Sequence, residues 1–379
     1  MQKRGFYAAL GICLSMLTGC EDSEQPTRSP QETVLPQDKA PGKRFGADTQ
    51  TQLQAKQLQQ FIVTRLTGNY GIHTNYRDTD QAATVATGHE VLSESAGLLM
   101  RYYARTGQQQ AFDAEWARAK RTFDNSSGFS YRYSPKLNKR YPLNAAVDDL
   151  RIIRALHEAG QAFQDNRYAV EAATYGERFY KHLVKDEYVF DFYDETYQIT
   201  NDFITLCYID FTSLQRLSIS SEQQQQLFAN MLQIVQKGYL SDDFPFYETR
   251  YQYKSQTYRS EHINTVESML TILALSEVRQ HNPASIRYIQ EHVKAGTLYG
   301  QYTTSGTPTN DIQSTAIYAI AAMIGAEIGD KSLYENSIRR MNQFLVQDGA
   351  SPLKNGFGDV ASEQAYSFDN LMALLAYTY

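Results

Sequence analysis

The chain has 379 residues, with 36 basic against 42 acidic side chains, a net charge of −6 and three cysteines. The charges are dispersed, with no basic run or patch, which argues against a nucleic-acid partner. Cys13 and Cys20 fall in an N-terminal leader motif, so only Cys207 remains to the body and an intrachain disulfide is excluded.

Lys3 and Arg4 precede an apolar run from Phe6 to Leu17 that is too short to span a bilayer as a helix, and Leu17-Thr18-Gly19-Cys20 closes it. This pattern predicts a lipoprotein signal over 1–19, cleavage before Cys20 and lipid on Cys20. Two or three acyl chains hold a protein firmly to a membrane, whereas one does not. An ordinary secretory signal with an incidental cysteine is the alternative. Residues 20–50 are polar and rich in Pro, Gln, Ser and Thr, as a flexible tether is. The expected location is the extracytoplasmic face of a cell membrane, with the lipid as anchor.

Residues 51–379 form one domain in this reading. Apolar residues recur at three- and four-residue spacing over 51–67, 92–106, 108–123, 145–163, 167–184 and 203–217. The second half continues with 221–237, 262–280, 283–295, 311–328, 331–347 and 367–379. Ser93, Ser220 with Glu222 just inside, and Asp311 are placed as caps, and Pro283 as a first-turn residue. Gly107, Gly238, Gly296 and Gly329 end other helices. About twelve helices joined alternately by short links and long loops predict an all-α (α/α)6 barrel, a toroid of six helical hairpins. An open solenoid or two stacked bundles are the alternatives, and the lack of a fixed-period repeat argues against the solenoid. The stretches Ala316 to Ile328 and Met269 to Leu275 are apolar nearly all round, as inner helices should be. Glu222 to Lys237 keeps one polar face, as an outer helix should.

Chemistry enters at Gly88-His89-Glu90-Val91-Leu92-Ser93-Glu94. Glu94 stands in the first turn of an apolar helix, followed by the small residues Ser95, Ala96 and Gly97, which allow a backbone or ligand to come close. A carboxylate there also simply favours the helix dipole. Tyrosine is abundant, 28 residues against one tryptophan. Tyr131, Tyr133 and Tyr141 precede the acidic pair Asp148-Asp149, and Tyr247, Tyr251, Tyr253 and Tyr258 precede Glu261. Aromatic faces stack on the CH surfaces of sugars and hydroxyls bond to sugar oxygens, although loop packing also uses tyrosine. No zinc spacing, nucleophile elbow or phosphate loop is present, and neither metal nor cofactor is required.

Ser93-Glu94-Ser95-Ala96-Gly97-Leu98-Leu99-Met100 resembles the S-E-G-x-G-Y-G-M element of glycoside hydrolase family 8. Phe112-Asp113-Ala114-Glu115-Trp116 is similar to its F-D-x-x-W, and Asp148-Asp149-Leu150-Arg151-Ile152-Ile153-Arg154-Ala155-Leu156 to its D-A-D-L-x-I-A-x-A-L. Cys207-Tyr208-Ile209-Asp210 resembles its P-S-Y-F more loosely. Ser95, Leu98, Leu99 and Val147 depart from the pattern, and Tyr258-Arg259-Ser260-Glu261-His262-Ile263-Asn264 stands where Y-D-A-x-R is sought, as in a divergent branch associated with exopolysaccharide.

The resemblance implies an (α/α)6 barrel and an endo-acting, inverting hydrolase of a β-1,4-linked polysaccharide. Glu94 would be the acid, Glu261 the base, and Asp149 would hold the sugar at the cleavage subsite. Asp148, Tyr131, Tyr133, Tyr141, Tyr208, Tyr258 and His262 would line the substrate. Acid work by a first-turn glutamate requires burial or a neighbouring carboxylate such as Glu90 or Asp149. Asp149 read as a helix cap and Glu261 as a solvated helix start are the structural alternatives. A lyase using a tyrosine and His262, with Arg259 or Arg250 for a uronate, and a non-catalytic polysaccharide-binding lipoprotein are the competing functions. The polysaccharide and the membrane are the expected partners of a monomer.

Overall fold

The apolar spacing is realised as helices in the computed structural model, which describes residues 45–80 and 85–379. The leader 1–19, Cys20 and most of the tether lie outside these residues. The helical body reaches back to Phe45, and the Asp48 side chain accepts from Thr51 N to cap the first helix.

Twelve α-helices occur among the described residues. They are α1 (Thr49–Phe61), α2 (Ser93–Arg105), α3 (Gln109–Phe123), α4 (Ala146–Phe163), α5 (Asn166–Leu183) and α6 (Phe211–Leu214). The second half supplies α7 (Ser221–Lys237), α8 (Thr265–Glu277), α9 (Pro283–Ala295), α10 (Thr315–Ile328), α11 (Lys331–Met341) and α12 (Ser367–Ala376). None of the described helices is long and apolar enough to cross a membrane.

The even-numbered helices are the buried set. In sequence, α2 packs on α4, α4 on α6, α6 on α8, α8 on α10 and α10 on α12, and α12 packs on α2. Helix α10 is buried from Thr315 through Gly325, as its apolar run requires, whereas α7 keeps its glutamines at the surface. Gly97 is what lets α2 and α4 approach, since a Cβ there would stand 3.0 Å from the Arg151 Cβ. Around this set the odd helices fix their places with aromatics. Phe112 of α3 meets Phe163 and Tyr168 edge-on, and Trp116 packs edge-on to Phe129 and Tyr175. Each such ring contributes roughly 1.5–3 kcal/mol by leaving water.

Short links follow the even helices and long ones precede them. The long links pair with one another: Val91 with Tyr133, Leu143 with Asp194, Phe203 with Gln252, Ile263 with Tyr302, and Asn75 with Tyr366. Where α10 and α12 begin, Asp369 Oδ1 accepts from Ala316 N at 2.8 Å. The links before the even helices therefore share one face. Away from it, the interior carries an ion network. Arg154 bonds to Glu158, Asp210 and Glu277, and Arg101 to Glu158, all at 3.3 Å or less.

One stretch departs from the expected helices. Over 203–217, Phe203–Thr205 is a strand, Leu206–Tyr208 a 3-10 turn, and only Phe211–Leu214 is α-helix. The β-branched Ile204 and Thr205 favour extension, and Asp210 caps the short helix by accepting from Ser213 N. Two starts also move. Ser314 rather than Asp311 caps α10, and α8 begins at Thr265 behind an Asn264 cap.

Candidate active site

Glu94 is the second residue of α2. Leu92 occupies the N-cap position without a side-chain bond, so Ser93 is not the cap expected of it; its hydroxyl instead points to Asp148 Oδ2, 3.5 Å away. Across from Glu94, in the first turn of α4, stand Asp148 and, one turn of helix in, Arg151. The Nη1 of Arg151 donates to Glu94 Oε2 and to Asp148 Oδ1, each at 3.0 Å. Burial pushes the Asp148 carboxyl up to about 7, the charge of Glu94 adds to the rise, and Arg151 opposes it. Two carboxyls and one guanidinium that hold a single proton are electrically neutral. Such a group can be kept in the interior at neutral pH.

Asp149 turns away from this group. It accepts from Asn144 Nδ2 at 2.8 Å and Phe129 N at 3.1 Å, and burial drives its carboxyl well above the usual range. Gly128 makes room for it, because a Cβ at that position would lie 2.3 Å from Asp149 Oδ2 on a backbone with φ of +157°. Asp149 thus fastens the loop before α4, and Asp148 is the α4 carboxylate beside Glu94. Glu90 is not beside Glu94's carboxyl partners either: it is sealed in an ion pair with Arg132 at 2.7 Å.

A second group of side chains continues the site. Tyr208, in the 3-10 turn before α6, is pushed far up by burial and then by Asp148, with Cys207, Asp191 and Glu94 adding, so its hydroxyl stays a donor. Asp191 accepts from the Thr205 hydroxyl at 2.6 Å, and burial raises it to about 6 with Glu267 adding and Arg250 opposing. Glu267 sits in the first turn of α8, half-buried and raised by burial against Arg250, and its carboxylate has no bonded partner among the described residues. Cys207 is near enough to feel both charges, its thiol pushed up by burial and then by Glu267 and Asp191.

The remaining expected residues fall into two sets. Tyr131 and Tyr141 are half-buried with ring centroids 6.1 Å apart, and the Tyr131 carbonyl accepts from Ser93 N at the start of α2. Tyr133 donates to Asn138 Oδ1 and packs 4.8 Å from Tyr70. Tyr258 is a packing residue, its hydroxyl donating to the Ile234 carbonyl of α7 at 2.6 Å. Glu261 and His262 are exposed, and among the described residues neither makes a hydrogen bond or ion pair. The structure therefore joins Glu94, Asp148 and Tyr208, and does not join Glu261 or His262 to them.

Arg151, Asp191 and Glu267 were not singled out by the sequence reading. Two of them carried a signal. Arg151 follows Asp148 at the three-residue helical spacing, and Glu267 follows the Asn264 cap as a first-turn carboxylate, as Glu94 does in its own helix.

A solved structure described as a novel alpha-amylase from Clostridium perfringens is similar to this chain, with 31% identity and a TM-score of 0.80, over 86% of this chain and 97% of that one. The provisionally named lipoprotein YdaJ of Bacillus subtilis (strain 168) is 27% identical over 294 residues, 75% of this chain and 78% of its own length. The endoglucanase Cel10 of Klebsiella pneumoniae, a family 8 glycosyl hydrolase, shares the fold at a TM-score of 0.59 and 14% identity, over 84% of this chain and 97% of that one. No family model matches the chain. Fold and likeness together define a helical scaffold of the glycoside hydrolase class. The chain shares its family with the 31% identical alpha-amylase relative, has the fold of the family 8 glycosyl hydrolases, and is similar to a lipoprotein.

Proposed function

We propose that this protein is an extracytoplasmic glycoside hydrolase that cleaves a polysaccharide by inversion, on an (α/α)6 barrel whose inner ring is the even-numbered helices. The observation that carries this reading is the group of Glu94 and Asp148 bridged by the Arg151 guanidinium where α2 and α4 begin. Glu94 is the more exposed of the two carboxyls, with 22% of its side chain open against 8% for Asp148. It is the one that can meet a glycosidic oxygen and give it a proton. Asp148 shares that proton, and Arg151 offsets the charge left behind.

Inversion needs an ionised carboxylate to activate water from the other side of the sugar, with ~6.5–9.5 Å between the two carboxyls. Glu267 suits this role better than Glu261, since it is half-buried in the charge environment of Asp191 and Cys207, whereas Glu261 is exposed. The Tyr208 hydroxyl is a donor for the water or the sugar. The motif resemblance favours a β-1,4 linkage. The alpha-amylase description of the 31% identical relative supports testing α-1,4-glucans with equal weight.

Anchoring through lipid on Cys20 rests on the leader sequence and on the lipoprotein relative. The deciding experiment measures reducing ends released by the body lacking residues 1–20 from α-1,4-glucans, β-1,4-glucans, chitosan and the host's own exopolysaccharide, beside Glu94→Gln. Release that disappears in the variant supports the hydrolase. No release from any polymer, with equal binding by both proteins, would leave a polysaccharide-binding lipoprotein in its place.

A further inference from the structure

The link before α2 builds a second concave site, which the proposed chemistry does not use. It is a cavity of about 390 Å³, walled by Tyr70, His73, His89 and Glu90, with Asp78 and Lys136 also lining it. That volume lies within the ~300–1,000 Å³ range of small-molecule sites.

Its rings are arranged as a platform. The imidazoles of His73 and His89 stack with centroids 4.0 Å apart and planes 17° from parallel. Tyr70 keeps 42% of its surface exposed although its ring rests 4.8 Å from Tyr133. Nε2 of His89 lies 3.0 Å from the Tyr76 carbonyl, which can only accept, so Nε2 carries the hydrogen. In the neutral ring Nδ1 is then an acceptor, and it has no partner among the described residues.

Charge within the cavity is already matched. Asp78 pairs with Lys136 at 3.0 Å and Glu90 with Arg132 at 2.7 Å. Burial and the neighbouring His89 push His73 down to about 4, so it is uncharged at neutral pH. A site with flat ring faces, an imidazole nitrogen free to bond and its acidic groups already paired suits a neutral, hydroxyl-rich ligand better than an anion. Its position gives it a use. Glu90 is four residues from Glu94, so their Cα atoms are at most ~14 Å apart.

We propose that this cavity is a distal subsite that holds a neutral sugar residue of a glycan chain whose cleavage point is at Glu94. The proposal rests on the hydrolase reading and is tested apart from it. Glu94→Gln protein, with and without Tyr70→Ala or His89→Ala, is titrated with malto- and cello-oligosaccharides of increasing length. Tyr70→Phe is the control that keeps the ring, and melting temperatures verify folding. Longer ligands should lose about three- to tenfold in affinity in Tyr70→Ala and His89→Ala, the scale of one aromatic face. The shortest ligands and Tyr70→Phe should be unchanged. In the background with Glu94 intact, KM for long substrates should rise while kcat holds. Equal losses at every length, or none at any length, overturn the subsite and leave the hydrolase standing. No binding of either series together with no release by the native body overturns both.

Discussion

Arg151 bonds Glu94 and Asp148 through one nitrogen, so carboxyls from two different helices depend on a single guanidinium. Replacing it with methionine keeps most of the apolar volume and removes the charge that permits both carboxyls to be there. Arg151→Met should cost about 3–5 kcal/mol at neutral pH, the scale for stripping one partner from a buried ion pair. The loss should shrink in acid, where the carboxyls take up protons. Urea unfolding at neutral and acid pH tests this, and a loss independent of pH would contradict it.

Asp148 makes its own pH prediction. Its folded pKa of about 7 stands above the ordinary 3.8, so the folded state binds the proton more tightly than the unfolded chain does. The associated stability is complete below the unfolded value and disappears as pH rises through about 7. Native protein should therefore lose on the order of a few kcal/mol between about pH 4 and pH 8. Asp148→Asn should remove its own share of that slope, while Asp149, which burial drives well above the usual range, leaves a slope of the same sign. Asp191, raised to about 6, should leave a smaller slope of the same sign.

The three glutamates should separate in kinetics. Glu94→Gln should lower release by ~10²–10⁴-fold, as loss of a general acid does. Glu267→Gln should fall in the same range, and azide should restore turnover by replacing the activated water. Glu261→Gln, at an exposed side chain, should remain near the native rate. A near-native Glu267→Gln with an inactive Glu261→Gln would return the base to Glu261.

Gly128→Ala should be disruptive beyond its size. The added methyl would meet the Asp149 carboxylate at 2.3 Å, on a backbone that side chains rarely adopt. The expected cost is about 2 kcal/mol or more. Because the same loop ends at Tyr131, whose carbonyl accepts from Ser93 N, activity should fall with stability. Thermal melting and release assays together check both effects.

Most of the helical frame was legible in the sequence, and the places where it was not share a cause. Periodicity finds buried faces, and α10 is legible apart from its start because its whole circumference is buried. Residues 203–217 bury Ile204, Leu206, Ile209, Phe211 and Leu214 at mixed two- and three-residue spacings, because strand, turn and helix succeed one another there, and no single period describes them. Boundary error hid Glu267. With α8 started at 262 it appeared to be a mid-helix residue, whereas the Asn264 cap makes it a first-turn carboxylate. Asp148 and Asp149 are adjacent in sequence, yet one residue of α-helix turns the side chain by roughly 100°. One therefore meets Arg151 and Glu94 and the other meets the loop, a distinction that depends on helix orientation and that motif spacing does not carry.

The pairing of each long link with its neighbours constrains how this protein can change. A link exchanged alone for that of a relative would break its seams with the links on either side, as the one before α4 is joined both to Val91 and to Asp194. Exchanging adjacent links together keeps the seam between them intact. Chimeras made by that route should fold more often than single-link swaps, and new substrate preferences in this lineage should arise in neighbouring links at once.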